Sequence, residues 1–265
     1  MDDAILEELL RARQNRTACA LATVAATTGS VPRQAGSKMI VYADGKTSGT
    51  IGGGKFEALV VEESIKSISA KKTLLKTYPL REDQPESFGA ICGGEVTIMI
   101  EPQNLTSALF LVGAGHCSLA IAKLATDCGM YVTVVEDRAE LIENCPASSK
   151  RVVANAAEFI SQRDWSEDEA LVLVSRNYEL DREALGAALK KSGAGYIGMI
   201  GSRRKVHRVF DALKQVAPVE ELKNVYAPIG LDIGADSPAE IAVSVVGEIL
   251  QVLRKRKGGH LRGGS

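Results

Sequence analysis

From residue 108 onward, short apolar runs alternate with helical patterns, and this rhythm constrains the fold more than any other feature of the chain. The strand-like runs are 108–112, 131–136, 151–154, 170–175, 195–200 and 224–227, and helical patterns fill the gaps and follow the last run. Strands separated by helices connect through right-handed crossovers and build a parallel sheet. Six of them make a complete doubly wound domain. The last helix has its start written into it. Ser237 is placed to cap it, Pro238 takes the first helical position, and Glu240 completes a capping box.

The first hundred residues lack that rhythm. A helix is predicted over 2–14, with Ile5, Leu6, Leu9 and Leu10 on one face. Small apolar residues over 17–26 read as a buried strand, and 38–43 as a second one that ends in the hairpin signal Asp44-Gly45. Ile51-Gly52-Gly53-Gly54 opens a helix carrying Ala58, Leu59, Val61, Ile65 and Ile68. Residues 73–78 and 94–101 read as further strands, and Pro102-Gln103-Asn104 breaks the pattern. The fold class expected is therefore α/β: an N-terminal α/β domain over 1–103, then a Rossmann-like doubly wound parallel sheet over 107–265.

Composition narrows the function classes. A chain of 265 residues suits one large or two small domains, and a formal net charge of −1 makes no case for a nucleic-acid or membrane-surface partner. The basic run from Arg254 to Arg262 is glycine-rich and reads as a solvated tail. No apolar stretch is long enough for a membrane span. The start, Met1-Asp2-Asp3, is acidic where a secretory signal would be basic. Cys19, Cys92, Cys117, Cys128 and Cys145 are odd in number and lack the spacing of a disulfide framework or zinc knuckle. A reducing, cytoplasmic setting is expected.

The first strand of the alternating half runs into Gly113-Ala114-Gly115-His116-Cys117-Ser118, a G-x-G-x-x-S turn between a strand and a helix. Gly113 permits the tight turn. Gly115 lets a phosphate approach the helix N-terminus, where free N–H groups favour an anion. Ser118 is small enough for close packing of helix on strand. Glu136 ends the next strand, where a carboxylate can accept ribose hydroxyls, while Arg138 nearby could tolerate a 2′-phosphate. The bland alternative is an α/β turn with no ligand. His116 reads equally as a phosphate contact or as an exposed loop histidine. Cys117 and Cys128 read as small packing residues.

Four other segments are unlike ordinary loops. Thr28 to Gly36 combines turn formers with Arg33. Gly52, Gly53 and Gly54 cost backbone entropy, which points to close approach of a ligand or to left-handed geometry. With Lys55 behind them they suit an anion, although the spacing is not that of a Walker A loop. Cys92, beside Gly93 and Gly94, is either an accessible thiol or a buried small hydrophobe. Gly201-Ser202-Arg203 opens a helix that Ser202 can cap and from which Arg203 can reach an anion. A solvated basic face would account for Lys205 and Arg208.

Taken together and in order, these motifs resemble the xanthine dehydrogenase accessory proteins of the XdhC/CoxI type, over nearly the whole chain. The resemblance rests on Gly29-Ser30-Val31-Pro32-Arg33, Gly49 to Gly54, Cys92-Gly93-Gly94, Val112 to His116 and Tyr196 to Arg204. It closes with Ile229 to Ala235 and Ser237 to Ala242. It implies a protein that binds molybdenum cofactor (molybdopterin), protects it during sulfuration and delivers it to a xanthine dehydrogenase-like or carbon monoxide dehydrogenase-like client. Such a protein is a cofactor chaperone more than a catalyst. A sulfurtransferase would be a further partner, and a homodimer would help to shield a large cofactor. Two departures stand out. Lys55 occupies a position where many members carry Cys, and Glu136-Asp137-Arg138 stands where the family tends to have Asp-Pro-Arg.

Two other classes compete. Gly113, Gly115 and Glu136 would also serve an NAD(P)-dependent oxidoreductase, but His116, His207 and His260 form no recognisable catalytic pair. A nucleotide-sensing module would need only the second half and leaves the loops of the first half unexplained.

Overall fold

An antiparallel sheet organises the first part of the structure, a computed structural model that describes residues 3–80, 94–103, 107–214 and 218–262. Two compact units are present, Met1–Leu105 and Thr106–Ser265. The first contains α1 (Asp3–Gln14), β1 (Cys19–Thr28), β2 (Lys38–Tyr42), β3 (Thr47–Gly49), α2 (Gly54–Ala70), β4 (Leu74–Leu80) and β5 (Gly94–Gln103). The strand order is β3-β2-β1-β5-β4, with every neighbouring pair antiparallel. Alternation along β1 sends Ala20, Ala22 and Val24 to a core shared with Phe56 and Val60 of α2. Cys19 and Leu21 point the other way, to Ile5 of α1.

Local signals placed most of these elements. The Asp44-Gly45 turn makes the expected hairpin, with Met39 opposite Gly49 and Val41 opposite Thr47. Its return strand, β3, has three residues and is too short to show a period. The helix faces depart in part from the expected ones. In α2 the fully buried stripe is Phe56, Val60, Ser64 and Ser67, with the expected Val61, Ile65 and Ile68 packed half-buried against the same core and, of that expected set, only Ala58 exposed. The serines belong there because they are small and self-satisfied: Ser64 donates to the Val60 carbonyl at 2.6 Å and Ser67 to that of Lys72 at 2.5 Å. In α1 Ile5 and Ala12 are buried while Leu6 and Leu10 are exposed. β5 runs on through Pro102 to Gln103. β4 pairs with β5 only as far as Ile100, so Pro102 has a strand on one side alone.

The second unit contains β6 (Ala108–Val112), α3 (His116–Asp127), β7 (Tyr131–Glu136), α4 (Ala139–Ile142), β8 (Lys150–Val153), α5 (Ala156–Ser161) and β9 (Glu169–Leu173). It continues with α6 (Tyr178–Leu189), β10 (Tyr196–Met199), α7 (Arg203–Leu213), α8 (Val219–Leu222), β11 (Val225–Tyr226) and α9 (Pro238–Leu253). The six strands are all parallel, in the order β11-β10-β9-β6-β7-β8. That is the doubly wound order, with its switch point between β6 and β9. Both faces are covered: Leu109 and Leu111 pack beside Ile121 of α3 and Val245 of α9, and Phe110 and Val112 beside Leu185 of α6 and Val209 of α7. Every residue of β6 and β9 is buried, as a parallel sheet requires. The capping box of α9 forms as expected, Ser237 accepting from the Glu240 N–H and Glu240 from the Ser237 N–H. Cys128, expected to pack, is exposed at the end of α3, and Cys117 is half-buried. Among the described residues, no helix is long and apolar enough to cross a membrane.

Candidate functional site

At the switch point the chain must turn from β6 into α3 against the end of β9. Gly113 takes φ +105°, and a β-carbon there would lie 2.3 Å from the Val174 carbonyl oxygen. Only glycine fits without moving backbone. Its N–H donates to Val135 at 2.8 Å. Gly115 caps α3 in an extended conformation, and a β-carbon there would meet nothing within 4 Å. The fold does not need a glycine at that point. It leaves open space before the helix N-terminus, where an anion is favoured. His116, the first residue of α3, is exposed, and Ser118 is fully buried behind it.

Glu136 ends β7 as expected, but its carboxylate is not free. Oε2 accepts the Ala114 N–H at 2.9 Å and Arg138 Nη2 at 3.2 Å. Oε1 accepts Arg138 Nε at 2.8 Å, the Arg138 N–H at 3.3 Å and Arg176 Nη1 at 3.4 Å. A carboxylate has about four lone-pair positions, so these contacts saturate it. Arg176, from the turn after β9, also grips Asp137 with both terminal nitrogens, at 2.6 and 2.9 Å. That guanidinium holds the Asp137 carboxyl well below the usual carboxylate range. The cavity left among Gly113, Glu136, Asn155 and Arg176 is about 30 Å³, room for roughly one water. The carboxylate expected to accept ribose hydroxyls is thus already engaged by donors of the protein itself. The reason is Arg176, which the crossover brings to Glu136 from a distant part of the chain.

The glycine loop of the first unit is built differently. Glu57 Oε2 accepts the Thr50 hydroxyl at 2.6 Å and the N–H groups of Ile51 and Gly53, both at 3.1 Å. The Gly52 N–H goes to Thr50 Oγ1 at 3.2 Å. The anion cradled by this loop is the protein's own carboxylate, one turn into α2. Burial opposes ionisation of Glu57, but the Thr50 hydroxyl and the loop N–H groups outweigh it and hold the carboxyl below its ordinary value. Gly53 and Gly54 take φ +79° and +66° with open space where a β-carbon would sit, so left-handed geometry accounts for them. Arg33 and Lys55 are both exposed. Cys92 lies outside the described residues.

Ser202 caps α7, accepting the Lys205 N–H at 3.3 Å, with Gly201 half-buried before it and Arg203 exposed after it. Lys205 does not belong to a solvated face. Its ammonium pairs with Asp181 of α6, which is fully buried and also accepts the Ser175 N–H at 3.2 Å. Sequence reasoning missed Asp181, because a helical Asp carries no local mark of burial. Gly201 and Arg203 line a cavity of about 410 Å³ together with the 228–235 loop and Ile241. That cavity lies beyond β10, whereas Gly113 and Glu136 serve the β6–β7 corner. Among the described residues there is no group of three or more His, Cys, Asp and Glu side chains suited to hold a metal ion.

Six parallel strands in this order, with the glycine turn after the first and an acidic residue ending the second, define a domain of the Rossmann class. The description "XdhC Rossmann domain" matches residues 109–249 and "XdhC and CoxI family" matches residues 12–79. The chain belongs to the XdhC family. It is 33% identical over 259 residues to the uncharacterised protein YqeB of Escherichia coli, covering 96% of this chain and 47% of that protein. It is 31% identical over 159 residues to a probable xanthine dehydrogenase subunit of Bacillus subtilis, covering 59% of this chain and 45% of that protein. The chain thus spans about half the length of these curated relatives. A crystal structure described as a xanthine dehydrogenase from Bacillus halodurans shares the fold, with a TM-score of 0.52 and 21% identity over 95% of this chain and 96% of that one.

Proposed function

We propose that this protein is an accessory factor that binds molybdenum cofactor and delivers it to a xanthine dehydrogenase-like molybdenum hydroxylase. The observation that carries this reading is the family membership, with matches in both units, over residues 12–79 and 109–249. The open helix start at Gly115 and His116 suits the phosphate of a pterin, and Arg203 suits the same chemistry at α7. The Gly52–Gly54 loop suits it poorly, because Glu57 already takes the Ile51 and Gly53 donors. Cys92 remains the thiol this reading assigns to cofactor loading.

An NAD(P)-dependent oxidoreductase would need room for the adenosine half of its cofactor beside Glu136. The saturated carboxylate and the 30 Å³ corner count against it. The test is co-expression with a molybdenum hydroxylase, purification, and quantitation of molybdenum and pterin by mass and absorbance, alongside NAD(H) titration. Co-purifying molybdenum and pterin, with client activity dependent on this chain, is the expected result. A metal-free, pterin-free protein that binds NAD(H) would overturn the proposal.

A further inference from the structure

A groove of about 650 Å³ lies on α6, walled by α5 and the end of α7. The inner face of α6 is Ala184, Leu185 and Ala188, all buried against the sheet. Its other face turns to the groove, and the floor there is low because the residues are small: Gly186 and Ala187, beside Ala157 of α5 and Ala212 of α7. Gly186 has an internal reason to be small, since a β-carbon there would lie 3.2 Å from Leu213 Cδ2. The result is still a helix surface with side chains of one carbon or none at its middle.

Charges of both signs stand around this low surface. Arg182, Lys190 and Lys191 line the groove together with Glu158 and Glu183. Within the chain they are poorly matched. Arg182 and its neighbour Glu183 lie 3.6 Å apart, and Lys191 lies 3.9 Å from Asp164, both at the surface, where such pairs contribute little. Glu158 and Lys190 are exposed and have no ion-pair partner among the described residues.

An acidic or a basic partner would match one sign and leave the other against its own kind. A second copy of the chain, turned end for end, matches both. Two α6 helices crossing antiparallel about an axis between residues 186 and 187 set Gly186 opposite Ala187 of the second copy. The same operation sets Glu183 opposite Lys190 of the second copy, and by symmetry it does so twice. Small residues at the crossing let the axes approach to the lower end of the usual range, roughly 8 Å. Arg182 falls opposite Lys191 of the second copy, and each keeps the carboxylate it has in its own chain.

We infer that α6 is the face on which two copies of this chain pair, about a twofold axis that crosses the helix between Gly186 and Ala187. The inference does not rest on the cofactor reading above. Association in solution is read without any cofactor, and either can fail alone.

Sedimentation velocity on the full chain, from roughly 1 to 100 μM, is the test. The parent is expected to shift from monomer to dimer across that range. Glu183→Lys and Lys190→Glu should each weaken the dimer at least about tenfold, because each sets two like-charged pairs face to face. Mixed in equal amounts, the two variants should dimerise again, since every 183–190 contact between unlike copies is then attractive. The chain carrying both changes should dimerise like the parent. Lys123→Glu, on α3 at the opposite face of the sheet, is the control and should leave association unchanged. Melting temperatures check that each variant folds, and Glu183→Gln and Lys190→Gln, which should each weaken the dimer less, carry the test should a reversed chain misfold. A parent that stays monomeric at roughly 100 μM, a dimer indifferent to these changes, or folded single variants that fail to associate when mixed would overturn the inference.

Discussion

The two glycine turns that open helices, Ile51–Gly54 before α2 and Gly113–Gly115 before α3, look alike as strings and differ in where their donors go. In the first, a carboxylate from the helix the loop opens takes two backbone N–H groups and a hydroxyl. In the second, a carboxylate from the next strand takes one N–H, that of Ala114, and the space before the helix at Gly115 stays open. A glycine-rich turn is thus a set of donors that must be satisfied somewhere. It becomes a ligand site only where the chain has not supplied its own anion.

The glycines differ in the same way, and substitution separates them. Gly113→Ala should be the most disruptive change, because the β-carbon collides with the Val174 carbonyl and φ is +105°. A loss of about 3 kcal/mol or more is expected from a backbone forced apart at such a site. Thermal or urea unfolding measures it, and a variant as stable as the parent would mean the turn adapts freely.

Glu57→Ala comes next. Its carboxylate satisfies the first loop from within, so truncation should cost about 1.5–3 kcal/mol, the range for hydrogen bonds to a charged group. The effect carries a pH signature. Glu57 titrates lower in the folded protein than in the unfolded chain. Its stabilisation is complete above the unfolded value, about 4.3, and is lost as the pH falls through that region toward the depressed folded value. The gap between parent and Glu57→Ala should therefore close in acid, as followed by denaturant titration across pH. A gap constant with pH would show that the carboxylate charge is not what holds the loop.

Gly115→Val should have the smallest effect on stability, at most about 1 kcal/mol for a poorer cap, since no neighbour lies within 4 Å of the new β-carbon. It should still block phosphate-bearing ligands at the α3 start. Equal cofactor loading in parent and variant, at equal melting temperature, would remove that turn from the binding reading and make the two loops alike after all.

Much of the framework was legible without coordinates because its signals are local. The strand–helix alternation, the Asp44-Gly45 hairpin, the Ser202 cap and the Ser237–Glu240 capping box each involve residues a few positions apart, and such contacts form wherever the local backbone does. Family motifs likewise marked the segments around Gly113, Gly201 and Gly230. The tertiary structure alone decided which of those segments keep open space. Arg176 reaches Glu136 and Asp137 across 40 and 39 positions, and Lys205 reaches Asp181 from another helix. These pairs exist because parallel crossovers deliver every turn after a strand to one edge of the sheet, where charges far apart in sequence neutralise one another. No periodicity or spacing records that meeting, so a string of residues can name the donors of a site but not the groups that have already claimed them.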